Sequence, residues 1–324
     1  MKALRITLAS VLASAACAAG AQTVWDFPVP YPDGNFHTRN IVQFAQDVDA
    51  ATQGALKFTV HSAGSLVPHR EIKSAVRDGL VPIGEVFAST LENENPIFSV
   101  DSLPFLATDY EQAWKLYEAQ KPQIEAHLDR QGLMLLYSVA WPAQSLYSKQ
   151  QLNGPDDLKG LKFRVNSRAT ERFALLAGMT PVQVEVPDIP TAFATGRADA
   201  MVNSPTGGVD VKAWDFVDHY YEVQAWLPRN IVIANKQTFN ALPQAQRQAV
   251  LDAARVAERR GWESSRAEAD KATERLRAEG MKIQPLPASL QEKFSEIGAA
   301  MAKEWAAESS AEGKAILDTY QAGR

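Results

Sequence analysis

The side chains able to hold a small ligand are few, and most are cations, amides or aromatics. Arg164 lies between Phe163 and Val165, in an alternation that includes Leu161 and Lys162. That period of two predicts a strand with Arg164 on its polar side. A guanidinium offers two parallel donors that match a carboxylate, and a water-poor cleft strengthens the pair. From the alternation alone, an arginine on a solvated strand face is the simpler reading. Asn203, followed by Ser204 and Pro205, supplies an amide that donates to a carboxylate and accepts from a hydroxyl. A turn asparagine accounts for the same residues equally well. Arg229, in Trp226-Leu-Pro-Arg-Asn230, is a second cation that either faces an anion or lies on the surface between strands. Tyr31, Phe87, Trp141 and Trp226 are candidates for an apolar wall, although buried aromatics usually serve packing.

Groupings that would perform catalysis are missing from the sequence pattern. His37, His61, His69, His127 and His219 form no HExxH motif and no close cluster with metal-ligand spacing. The chain has no GxSxG elbow, no GxGxxG and no GxxxxGK[ST]. The pairs Glu92/Glu94 and Asp156/Asp157 fall in polar loops and read as turn or cap residues. Cys17 is the single cysteine, so disulfides, thiol nucleophiles and thiolate metal sites are excluded from the rest of the chain. The expectation is a binding protein, neither an enzyme nor a cofactor carrier.

These residues need elements to position them. Lys2 and Arg5 precede an uncharged stretch from Ile6 to Ala19, and Ala19-Gly-Ala21 has the form of a cleavage site. Residues 1–21 therefore read as a secretory signal peptide. Lipid attachment at Cys17 is the lesser reading, because Ser14 stands where such a site wants Leu. Cleavage would remove Lys2 and Arg5 and no acid, taking the net charge from −5 to −7. With no basic patch, nucleic acid and anionic membranes are poor partners. Strand and helix signals alternate from Leu56 to Ala234, which implies mainly parallel sheets covered by helices and two α/β lobes joined by crossing strands. From Pro243 to Glu279 the composition predicts one helix of about 37 residues, ~55 Å long, spanning both lobes. Two shorter helices meeting at Gly261 are the alternative.

Asn153-Gly-Pro-Asp-Asp-Leu-Lys-Gly-Leu-Lys-Phe-Arg-Val165 resembles the most characteristic motif of the TRAP (tripartite ATP-independent periplasmic) transporter solute-binding proteins, the DctP-like family. Thr52-Gln-Gly54, Gly64-Ser-Leu66, Val76-Arg-Asp-Gly79, Ser102-Leu-Pro-Phe105, Thr191 to Asp199 with Asn203, and Asn235 to Pro243 match further family features in order. The resemblance implies a two-lobed periplasmic-binding-protein fold with a ligand cleft between the lobes. The first lobe is expected at 22–146 plus 233–272 and the second at 147–232 plus 273–324. It implies a periplasmic receptor, expected as a monomer, that closes on a small carboxylate and delivers it to a small and a large membrane subunit. Arg164 is then the carboxylate anchor and Asn203, with Ser204 beside it, a ligand partner. Many members carry a second arginine near the position of Ala143, and sialic-acid binders carry an acid near Phe87. Ala and Phe here imply a less polar pocket, with Arg229 as the candidate replacement cation. A monocarboxylate with an apolar or aromatic body is the first expectation, a hydroxy or keto acid the next. A periplasmic enzyme and a receptor feeding a membrane sensor are the rivals.

Overall fold

The computed structural model describes residues 22–323. The expected signal peptide and Cys17 lie outside the described residues. The chain first forms β1 (Thr23–Pro28), α1 (Phe36–Ala51), β2 (Leu56–His61), α2 (Ile72–Arg77), β3 (Ile83–Phe87), α3 (Tyr110–Asp129) and β4 (Leu133–Ala140). It continues with β5 (Ser145–Ser148), β6 (Lys162–Val165), α4 (Arg168–Leu176), β7 (Thr180–Gln183), α5 (Ile189–Ala194), β8 (Ala200–Asn203), α6 (Pro205–Asp210) and β9 (His219–Glu222). The last elements are β10 (Arg229–Asn235), α7 (Lys236–Ala241), α8 (Gln244–Ala278), β11 (Lys282–Pro285), α9 (Ala288–Glu308) and α10 (Ala311–Ala322). Local chemistry sets many of these boundaries. Asn35, Asp109 and Ser167 accept hydrogen bonds from the first-turn amides of α1, α3 and α4. On β2, Leu56 and Phe58 turn inward while Lys57 and Thr59 face out.

Two lobes result. In the first, β10 lies between β3 and β4, and the parallel pair β1-β2 packs beside β3. The second carries one sheet in the order β11-β9-β5-β8-β6-β7. The expectation of mainly parallel sheets fails at β5 and β10. Both run antiparallel to their neighbours, because each is the strand by which the chain enters from the other lobe. The two crossings are bonded to each other: Trp141 N donates to Pro228 O at 2.8 Å and Gln144 N to Trp226 O at 2.9 Å.

Helix α8 is one continuous element of 35 residues, ~52 Å long at 1.5 Å per residue. It packs on α1 and β4 in the first lobe and on α6 and β11 in the second. Gly261 marks a close approach: a Cβ there would meet Val139 Cγ2 at 2.4 Å. Helix α9 packs on α4, but α10 packs on α3 of the first lobe, and Tyr320 donates to Leu106 O at 3.0 Å.

Candidate functional site

The site forms where the lobes meet, beside the two crossings. Strand β6 points Phe163 into the second-lobe core and turns Arg164 the other way, yet Arg164 is only 3% exposed. Its Nε donates to Val184 O at 3.0 Å, which fixes the plane of the guanidinium. Its Nη2 is buried with no hydrogen-bond partner. Burial pushes Arg164 down to about 10, against the pull of Glu185 and Tyr31 and with a further push from Arg70. It stays charged at neutral pH, and a buried charge without a partner is costly.

Tyr31, Phe87 and Trp141 form the first-lobe wall. Tyr31 and Trp141 meet edge to face at 4.9 Å, and Asn230 Oδ1 accepts from Trp141 Nε1 at 2.9 Å and from Tyr31 Oη at 3.2 Å. Asn230 Nδ2 in turn donates to Glu85 Oε1 at 2.8 Å, and His37 lies 3.3 Å from the same oxygen. Opposite, Asn203 at the end of β8 spends its Oδ1 on the amide of Ser204 at 2.9 Å. Gly207 makes room for that carboxamide, since a Cβ at 207 would stand 2.2 Å from Asn203 Oδ1. The cavity is small, about 50 Å³, enough for a few water molecules.

Contacts between the lobes close the mouth. Asn35 Nδ2 donates to Asp210 Oδ2 at 2.5 Å. Arg70 Nε donates to Glu185 Oε1 at 2.5 Å, and its Nη2 to Asn166 O at 3.2 Å. Glu92 reaches from the first lobe to the start of α4 and accepts from Ala169 N at 2.9 Å. Burial pushes Asp210 up to about 6 and Glu92 up to about 7, and pushes His69 down to about 4. Among the described residues no three His, Cys, Asp or Glu side chains stand together as a metal site.

The family model for "Bacterial extracellular solute-binding protein, family 7", DctP, matches residues 31–309. The chain belongs to this family. The crystal structure of DctP7, a Bordetella pertussis extracytoplasmic solute receptor binding pyroglutamic acid, superposes with a TM-score of 0.91 at 44% identity, covering 92% of this chain and 99% of that one. A marine-metagenome TRAP solute-binding protein specific for pyroglutamate gives a TM-score of 0.91 at 41% identity, covering 93% and 99%. A solute-binding protein of Albidiferax ferrireducens is 27% identical over 224 residues, which is 66% of this chain and 65% of that relative's length.

In this family 7 protein, five of the eight side chains expected at the ligand line the cavity: Arg164, Asn203, Tyr31, Phe87 and Trp141. Three do not. Arg229 is 1% exposed, with Asp101 at 3.4 Å and its guanidinium over the Tyr117 ring, so it is engaged in the first-lobe core and supplies no second cation. Trp226 packs edge to face on Phe173 in the hydrophobic core. Ser204 is fully buried as the cap of α6, its Oγ accepting from Gly207 N at 3.0 Å. His69, Gln144, Glu185 and Asp210 also line the cavity and were missed. Gly207 and Asp210 lie three apart on α6, one helical turn, while Asn203 ends β8 just before it.

Proposed function

We propose that this protein is the extracytoplasmic receptor of a TRAP-type transporter and that its ligand is pyroglutamate or a lactam acid of similar size. The observation that carries the reading is the buried Arg164 Nη2, without a hydrogen-bond partner, beside a small cavity. One carboxylate satisfies it. A second carboxylate would meet Glu185 and Asp210, which makes dicarboxylates poor ligands. Asp210 keeps one oxygen beyond the one taken by Asn35, and it can accept from a ring N–H. The aromatic wall suits the ring's apolar carbons. The space matches a compact acid better than a sugar acid, and relatives above 40% identity bind pyroglutamate. Export by the segment 1–21, action as a monomer, and docking on a small and a large membrane subunit complete the proposal.

The test is a thermal-shift and calorimetric comparison of residues 22–324 with organic acids. A saturating ligand at 100 times its Kd should add ~2.7 kcal/mol of stability. Arg164→Ala should weaken binding by about 2–5 kcal/mol, since it removes one member of a buried charge pair. That is roughly 30- to 5000-fold in Kd. Unchanged affinity in Arg164→Ala would overturn the assignment of the anchor. Hits only among uncharged sugars or amines would overturn the ligand class.

A further inference from the structure

The cavity holds a second ligand donor that carries no charge. His69 opens a short turn of 3-10 helix before α2 and lines the cavity, with its ring edge to face against Tyr31 at 5.9 Å. The backbone N–H of Phe87 reaches His69 Nε2 at 3.3 Å. A ring nitrogen that accepts carries no hydrogen, so this bond assigns the proton to Nδ1. Nδ1 then has a hydrogen to donate and, on this partly exposed side chain, no partner within the protein among the described residues. We propose that His69 is a specificity-determining residue whose Nδ1–H donates to an uncharged ligand oxygen, the ring carbonyl of a lactam acid, while Arg164 takes the carboxylate.

The chemistry of the surroundings supports that division. Glu185 lies near His69 and would repel a ligand carboxylate placed there, but not a neutral carbonyl. Protonation of the ring would break the bond from Phe87. Burial pushes the ring down to about 4; Glu185 pulls the other way, and Arg70 and Arg164 push with burial. The Tyr31 hydroxyl, held by Asn230, is the remaining titratable group against the ring. The imidazole is therefore a neutral donor at neutral pH. A site built to bond a polar ligand group discriminates strongly against analogues that lack it, because its own donor is left unpaired. Cyclic acids without the carbonyl are thus excluded by His69 rather than by Arg164.

This inference rests on the lactam-acid reading, and its test separates the two. Wild type, His69→Gln and His69→Asn, each as residues 22–324, are titrated with L-pyroglutamate and with cyclopentanecarboxylate. The glutamine keeps an acceptor for Phe87 N–H at the Nε2 position and removes the Nδ1 donor. The asparagine keeps a donor near the Nδ1 position. We expect His69→Gln to weaken pyroglutamate by about tenfold or more and not to weaken cyclopentanecarboxylate, whose unpaired donor it removes. His69→Asn should stay within about threefold of wild type for pyroglutamate. The ratio of wild type to His69→Gln should be the same at pH 5.5 and pH 8. Equal losses for both acids, no loss in His69→Gln, or a ratio that changes between those pH values would overturn the neutral-donor role while leaving the receptor intact. Wild type that binds other organic acids but not pyroglutamate would overturn the lactam assignment and this inference with it. Wild type that binds no organic acid would overturn the receptor reading itself.

Discussion

Glu92→Gln should stabilise this protein at alkaline pH and do little in acid. Glu92 is 6% exposed, is carried by the first lobe and accepts from the Ala169 amide of the second. Ser99 and the backbone of Arg168 also bond it, and the Arg168 charge acts on it. Nearby, Arg168 pairs with Glu308 and Arg172 with Glu304, so those charges are largely spent on each other. Glu171 is the other acid on the first turn of α4. Burial dominates and moves the carboxyl from 4.5 to about 7. The folded state therefore holds this proton more tightly than the unfolded chain. Its contribution to stability is fully present below pH 4.5 and is lost as the pH rises through 7. At about 1.4 kcal/mol for each tenfold, the loss is under about 1 kcal/mol at pH 5 and about 3 kcal/mol at pH 8. Glutamine keeps an oxygen for Ala169 N and carries no charge at either pH. Urea titrations of both proteins at pH 5 and pH 8 should show a difference that grows by about 2 kcal/mol in favour of the variant. Other titrating groups are common to both chains and cancel. A difference of the same size at both pH values would refute the reasoning, because the effect would then be packing rather than the burial of charge.

Two further substitutions separate ligand geometry from stability. Gly207→Ala places a Cβ 2.2 Å from Asn203 Oδ1, so the carboxamide must swing out of the cavity. We expect pyroglutamate affinity to fall about tenfold or more, while the lost bond from Ser204 N is partly offset by the helix preference of alanine in α6; unchanged affinity would show that Asn203 makes no ligand contact. Arg229→Met leaves Asp101 buried and unpaired and should cost about 3–5 kcal/mol of stability, much of it recovered in the double variant with Asp101→Asn. A melting temperature equal to wild type, with weakened binding, would return Arg229 to the ligand.

The difference between Arg229 and Asn230 shows where a sequence stops being informative. Arg229 was expected either to face an anion or to lie on the surface between strands, and the structure places it in neither position, next to Asn230 on β10. Successive side chains of a strand point to opposite faces, so a shift of one exchanges the faces. Asn230 meets Tyr31 and Trp141 behind the cavity, while Arg229 faces Asp101 and the Tyr117 ring. The chemistry of arginine made it the better candidate, and nothing local in the segment gives the register. Ser204 failed for a related reason. A hydroxyl ahead of Pro205 is read equally as a ligand donor or as a helix cap, and the cap consumed it. Arg164 was legible because a long ordered motif surrounds it. Helix α8 was legible because Pro243 and Gly280 bracket a composition that favours one conformation. Glu185 and Asp210 acquire their roles only from partners 115 and 175 residues away, a distance no spacing rule spans.

In the receptor proposed above, the partners of those two acids tie closure to anion capture. Asp210 is held by Asn35 and Glu185 by Arg70, each across the cleft, and both acids line the cavity. Glu185 acts on the Arg164 charge within its own lobe, but its hydrogen bond goes to Arg70, and Arg164 Nη2 has no hydrogen-bond partner. Closing the lobes thus spends the acids on the first lobe and strands one cation in a water-poor space. A ligand carboxylate removes that penalty only in the closed form, where Arg164 is dry and the wall of Tyr31 and Trp141 is in place. On that proposal, the differential affinity that shifts the lobes toward closure lies at Arg164, with the contacts at the mouth setting how much of it is required.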